Sequence, residues 1–214
     1  MALNTYIDHT LLKANATVDD IKKLCAEAKE HHFYAVCVNS YYVGLAESEL
    51  MHTDVNIAAV IGFPLGATIT KAKVYEAQQC IDEGANEIDM VLNIGLLKSG
   101  YYKIVEEEIK AIKKAIGKHV LKVIFENCYL TDEEKKIACQ LSLNAGADFI
   151  KTSTGFGTGG ATIEDVQLMK NEVKNAMQIK ASGGIRDAET AKQYIDLGVS
   201  RIGTSSGITI VTSK

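Results

Sequence analysis

Gly146-Ala147-Asp148-Phe149-Ile150-Lys151-Thr152-Ser153-Thr154-Gly155 is the stretch on which the fold turns. A glycine in helix-ending position, a short link, an apolar run and then small hydroxyl residues mark a helix handing over to a buried strand that ends in a loop. The beat recurs at Gly84-Ala85-Asn86-Glu87-Ile88 and Gly198-Val199-Ser200-Arg201-Ile202, with a looser copy at Gly117 before Val120. Within the opening stretch Lys151 ends the apolar run with no carboxylate adjacent to it. Burying an ammonium is costly unless it is paired or neutral. A neutral amine is a nucleophile, so Lys151 is a candidate Schiff-base former toward a carbonyl substrate.

Helix starts are equally legible. Thr17 with Asp20, Thr131 with Glu134 and Thr162 with Asp165 each place a hydroxyl three residues before an acid, the spacing of a capping box. The first opens a helix over about 18–31, with Val18, Ile21, Leu24, Cys25 and Ala28 on one face. Amphipathic stretches follow near 43–50, 71–82, 104–116, 132–144, 163–175 and 188–197, which makes seven helices. Between them lie eight short apolar runs: 6–8, 35–38, 57–61, 87–91, 120–125, 149–151, 178–181 and 201–203. Near-continuous apolar strands belong to a sheet covered on both faces. Eight of them alternating with helices predict an α/β protein, a single closed (β/α)8 barrel over residues 1–214, with an open doubly wound sheet as the alternative.

Composition excludes several classes of function. The chain has 214 residues, enough to bury roughly 70% of its unfolded surface without staples. Its 23 basic and 27 acidic residues are interspersed, so there is no basic stripe for nucleic acid. No apolar run nears the ~20 residues of a membrane span, and the start Met1-Ala2-Leu3-Asn4-Thr5-Tyr6 lacks a signal-like pattern; a cytoplasmic location is expected. The five cysteines form no C-x-x-C pair and the five histidines no H-E-x-x-H spacing, so no metal site is expected and Cys37 reads as core. The single proline, Pro64, lies in the turn Gly62-Phe63-Pro64-Leu65-Gly66.

In a barrel the strand ends converge on one face. Asp8 is expected to end strand 1; Asp89 lies in strand 4, Lys122 and Glu126 in and after strand 5, Lys151 at the end of strand 6 and Lys180 in strand 7. Clustered ammonium groups depress one another's pKa, and Asp89 would carry protons during carbinolamine formation and dehydration. The bland alternatives are a solvated Lys151, a satisfied buried Asp89 and a simple Lys122–Glu126 pair. Ser182-Gly183-Gly184 and Gly203-Thr204-Ser205-Ser206-Gly207 follow strands 7 and 8, where barrels hold phosphate with backbone N–H groups. Tight turns alone would also account for these glycines. The loop 155–161 is a candidate cover.

EIDMVLN around Asp89, KVIFEN around Lys122, FIKTSTGF around Lys151, IKASGGIR around Lys180 and RIGTSSG around Gly203, together with IDHTLLK and GFPLG, resemble the deoxyribose-phosphate aldolase family nearly end to end. The resemblance implies a class I aldolase without metal or other cofactor, in which Lys151 forms the imine. It further implies that Lys180 lowers the pKa of Lys151 and that Asp89 shuttles protons. Asp8, Lys122 and Thr152 would line the same site, and Gly183, Gly184, Gly203, Ser205 and Ser206 would hold phosphate. The implied substrate is a small phosphorylated sugar, 2-deoxy-D-ribose 5-phosphate, and the implied assembly a homodimer. Three departures bear on this: Asn127 where threonine is more usual, Phe156 where some relatives have a basic residue, and an end at Ile210-Val211-Thr212-Ser213-Lys214 without the tyrosine tail of some members. Asn127 would alter hydrogen bonding near Lys122. The competing readings are another phosphosugar barrel enzyme using Lys151 differently and a silent phosphate-ligand binder.

Overall fold

The computed structural model describes residues 2–213. Among these, eight strands run β1 (Ile7–Leu11), β2 (Ala35–Asn39), β3 (Asn56–Ile61), β4 (Glu87–Val91), β5 (Val120–Ile124), β6 (Phe149–Lys151), β7 (Gln178–Ser182) and β8 (Arg201–Thr204). They pair in parallel in chain order, and β8 returns to β1, closing the barrel. The open sheet is thereby excluded. Among the described residues nine α-helices cover the outside: α1 (Val18–Glu30), α2 (Val43–Leu50), α3 (Thr70–Asp82), α4 (Ile94–Lys98), α5 (Tyr102–Ile116), α6 (Asp132–Ala145), α7 (Ile163–Val173), α8 (Ala188–Asp196) and α9 (Gly207–Thr212).

Local chemistry sets these boundaries. Thr17 and Thr131 form reciprocal capping boxes with Asp20 and Glu134, so both hydroxyl and acid satisfy otherwise unpaired helix N–H groups. The third box is half made. Thr162 accepts from the Asp165 amide, but the Asp165 carboxylate turns to Lys135 of α6 at 2.5 Å. Gly146 ends α6 at φ 79°, a left-handed conformation that a side chain would penalise.

Seven of the helices follow the sequence expectation; α4 and α9 were not anticipated. Each is too short for a 3.6-residue period to show, although Asn93 caps α4 by accepting from the Leu96 amide at 3.1 Å. β1 also differs, extending three residues beyond Asp8 because Leu11 still pairs with Val38. Asp8 therefore lies low in the barrel and not at a strand end. His9 and Thr10 break the apolar run, and His9 faces outward, 2.8 Å from Glu27 of α1.

Side chains alternate across every strand, which divides the core in two. One shell lies between strands and helices and includes Ile21, Leu24, Val36, Ile88, Val123, Ile150, Val166 and Ile179. Inside the barrel the apolar cluster is small: Leu12, Cys37, Ala58 and Val60, with Phe63 against it. Most barrels fill this space with branched aliphatics. Here β2 supplies Cys37 and β3 only Ala58 and Val60, and charged residues of β1 and of β4 to β8 occupy the remaining volume.

Candidate active site

Register brings the charged residues together. Asp89 of β4 lies beside Lys122 of β5, Lys151 of β6 beside Lys180 of β7, and Asp8 of β1 beside Gly203 of β8. Asp89 is fully buried at the centre. Its Oδ1 accepts from Lys122 Nζ at 2.6 Å, and its Oδ2 accepts from both Lys151 Nζ at 2.9 Å and Lys180 Nζ at 2.8 Å. Burial alone would raise the Asp89 carboxyl, but Lys122, Lys151 and Lys180 outweigh it and hold the group well below the usual carboxylate range. Asp89 is therefore an ionised acceptor in the resting site.

Asp8 shows the same balance. Burial opposes its ionisation, while Lys180, then Arg201 and Lys122, hold its carboxyl down. It accepts from Lys180 and, at 2.8 Å, from Arg201 Nη1. Lys180 is shifted upward in turn: burial favours the neutral amine, but Asp8 and Asp89 prevail. Lys180 stays an ammonium group. Lys122 is likewise raised by Asp89 and Glu87 against its burial.

Above these groups opens a cavity of about 390 Å³, and Lys151 is the one member of the lysine cluster that lines it. Gly183, Gly184, Gly203, Ser205 and Ser206 line the cavity as the sequence suggested. Asp89 and Lys180 do not reach it, and neither do three residues expected to line the substrate site. Asp8 and Lys122 lie fully buried beneath it, and Thr152 is spent on tying β6 to β7: its hydroxyl donates to the Ser182 carbonyl at 3.1 Å and accepts from the Ser182 amide at 3.0 Å. Thr152 thus reaches the site only by fixing the strands that carry Lys151 and Lys180.

Glu126 and Lys122 do not pair. Glu126 sits at φ 55° after β5, where its carboxylate takes the Thr154 amide at 3.1 Å and the Thr154 hydroxyl. That contact anchors the start of the loop 155–161; at its end Ala161 donates to the Ser182 and Gly183 carbonyls, and Tyr194 donates to the Ala161 carbonyl at 2.7 Å. The candidate cover is tied down at both ends. Asn127 turns away from Lys122, its amide 3.4 Å from Met169 Sδ of α7. Phe156 is half exposed at the cavity edge, its ring edge-on to Phe63 with centroids 5.3 Å apart. Cys37 is core as expected, its thiol pushed up by burial.

Sequence reasoning missed Glu87, Arg201, Lys13 and Arg186. Glu87 precedes Asp89 by two residues, so the alternation that turned Asp89 inward also turned Glu87 inward. Lys13 and Arg186 line the cavity and supply positive charge beside the glycine-rich turns. Their signal was their place as the last residues of IDHTLLK and IKASGGIR, but exposed basic residues are common on any surface.

A profile of the DeoC/LacD family of aldolases matches residues 3–211. The deoxyribose-phosphate aldolase of Coprothermobacter proteolyticus is 56% identical over 211 residues, covering 99% of this chain and 96% of that one. The same named enzyme of Finegoldia magna is 56% identical over 211 residues, covering 99% of each. Among solved structures, a tetrameric deoxyribose phosphate aldolase from Aeropyrum pernix superposes with a TM-score of 0.87 at 35% identity, covering 99% of this chain and 90% of that one.

Proposed function

The chain belongs to the DeoC/LacD family of aldolases, and from that premise we propose that it cleaves 2-deoxy-D-ribose 5-phosphate to D-glyceraldehyde 3-phosphate and acetaldehyde, reversibly, with Lys151 as the reacting amine. The observation that carries this is the placement of Lys151, the lysine of the cluster that opens onto the cavity, with its Nζ on Asp89.

Chemistry follows from the contacts. The Lys151 amine adds to C1 of the open-chain sugar, giving a carbinolamine that loses water to form a protonated imine. The iminium nitrogen then accepts the electron pair of the C2–C3 bond as the C3 hydroxyl loses its proton, which releases glyceraldehyde 3-phosphate. Protonation of the resulting enamine at C2 and hydrolysis return acetaldehyde and the amine. Asp89 stabilises the iminium as it stabilised the ammonium, and takes or returns protons at Lys151. Lys180 offsets the Asp89 charge so that Lys151 need not stay protonated. Backbone N–H groups around Gly183, Gly184 and Ser205, with Lys13 and Arg186 at the edge, suit the phosphate. The whole chain, 1–214, acts as one catalytic domain in this reading, as a homodimer in the cytoplasm.

A coupled assay for glyceraldehyde 3-phosphate release tests it. Turnover with the phosphorylated sugar and a much higher KM for deoxyribose are expected. Tight binding without release would support the silent binder, and equal use of both sugars would refute the phosphate seat.

A further inference from the structure

Beneath Lys151 the charged side chains form a closed ring of alternating sign. Asp89 meets Lys122 at 2.6 Å, Lys122 meets Glu87 Oε2 at 2.5 Å, and Glu87 Oε1 meets Arg201 Nη2 at 2.5 Å. Arg201 meets Asp8 at 2.8 Å, Asp8 meets Lys180, and Lys180 returns to Asp89 at 2.8 Å. Three acids and three bases make it neutral as a whole, and Lys151 hangs from Asp89 as the seventh charge. Glu87 and Arg201 begin their strands, so they sit at the end of the barrel opposite the cavity. Both are almost fully buried, and the Arg201 guanidinium carbon lies 3.2 Å from the centroid of the Tyr34 ring.

We propose that Arg201 and Glu87 are positioning residues for the aldol reaction, setting from the far end of the barrel the charge balance and orientation of the carboxylates that meet Lys151. The proposal rests on the assignment of Lys151 as the imine-forming amine. Arg201 occupies Asp8 Oδ1, which leaves Oδ2 for Lys180. Glu87 draws on Lys122 without satisfying it: Oε2 lies close, yet lacks a hydrogen-bond partner among the described residues, so this link is charge on charge. Asp89 Oδ1 takes the Lys122 hydrogen bond, and Oδ2 is shared by Lys180 and Lys151. Removing either far residue unbalances the ring by one charge in a water-poor interior, where screening is weak. The charged and titratable groups of the barrel interior are Asp8 of β1, Cys37 of β2, Glu87 and Asp89 of β4, Lys122 of β5, Lys180 of β7 and Arg201 of β8, and Lys13 and Arg186 line the cavity onto which Lys151 opens; the β3 residues in the interior, Ala58 and Val60, are apolar.

Opposite charge changes give opposite outcomes. Arg201→Met leaves the ring net negative, favours the Lys151 ammonium, and moves the acid limb of kcat/KM to higher pH, with kcat down about tenfold and KM little changed. Glu87→Gln moves the limb to lower pH. The double variant returns it toward the wild-type position, and Arg201→Lys keeps it there. Should Arg201→Met fail to fold, Glu87→Gln and Arg201→Lys still decide. Limbs that move the same way, or stay in place in folded variants, overturn the proposal. Wild-type enzyme incubated with acetaldehyde and borohydride serves alongside: no label at Lys151 refutes the aldolase assignment, whereas a label with unmoved limbs refutes only the role of Arg201 and Glu87.

Discussion

Replacing Asp89 by asparagine keeps the shape of the side chain and removes the charge that three ammonium groups share. Lys122, Lys151 and Lys180 reach Asp89 at 2.6, 2.9 and 2.8 Å, all of them buried. At an effective dielectric of about 20, a pair of unit charges 2.9 Å apart attracts by about 6 kcal/mol. Desolvating each ion opposes this by several kcal/mol, so the pairs themselves add little net stability. Leaving the lysines without their acceptor is another matter. Removing one partner of a buried pair costs about 3–5 kcal/mol, and we expect Asp89→Asn to fall in that range by urea unfolding near neutral pH. The pH dependence follows from the sign of the shift. Because the folded carboxyl titrates well below the unfolded one, its stabilisation is present above the unfolded pKa and is lost only as pH falls through the folded pKa. The stability difference between wild type and variant should thus stay flat from about pH 7 down to about pH 4 and shrink only below that. A difference under about 1 kcal/mol at neutral pH, or one already shrinking between about pH 7 and pH 5, would refute the reasoning.

Lys180→Leu is expected to reduce turnover and move the acid limb of the rate profile to higher pH, since Asp89 Oδ2 would then serve Lys151 alone; an unchanged profile removes Lys180 from that role. Gly160→Ala places a methyl group 2.2 Å from the Gly183 carbonyl oxygen, so the turn must shift. We expect KM for the phosphorylated sugar to rise severalfold with kcat less affected, and an unaltered KM would detach this turn from the phosphate seat. Thr131→Ala removes the cap of α6 far from the chemistry and should cost about 1 kcal/mol in unfolding free energy without changing kcat.

The strands and seven helices were legible because glycine and hydroxyl residues punctuate them, as Gly146 and Thr131 show at the two ends of α6. Lys151 and Asp89 were legible because a charge inside an apolar run has few inexpensive explanations. The ring was not, because it depends on closure. Arg201 meets Asp8 across 193 positions of sequence, and only the β8–β1 pairing brings them together. Thr152 and Asn127 were misjudged for a related reason. Thr152 adjoins the inward-facing Lys151 and turns into the β6–β7 seam, whereas Asn127 lies past the end of β5 in a short 3-10 turn that directs its amide toward Met169. Glu126 escaped because the chain leaves the strand for a left-handed conformation at that residue, where period-two reasoning stops.

The central claim is that Lys151, and not Lys180 or Lys122, forms the covalent intermediate. Reduction of the acetaldehyde adduct with borohydride followed by peptide mass mapping addresses it directly. An ethyl group on Lys151, absent when borohydride is omitted, is the predicted result; an unmodified Lys151 with the label on Lys180 or Lys122 would contradict the account.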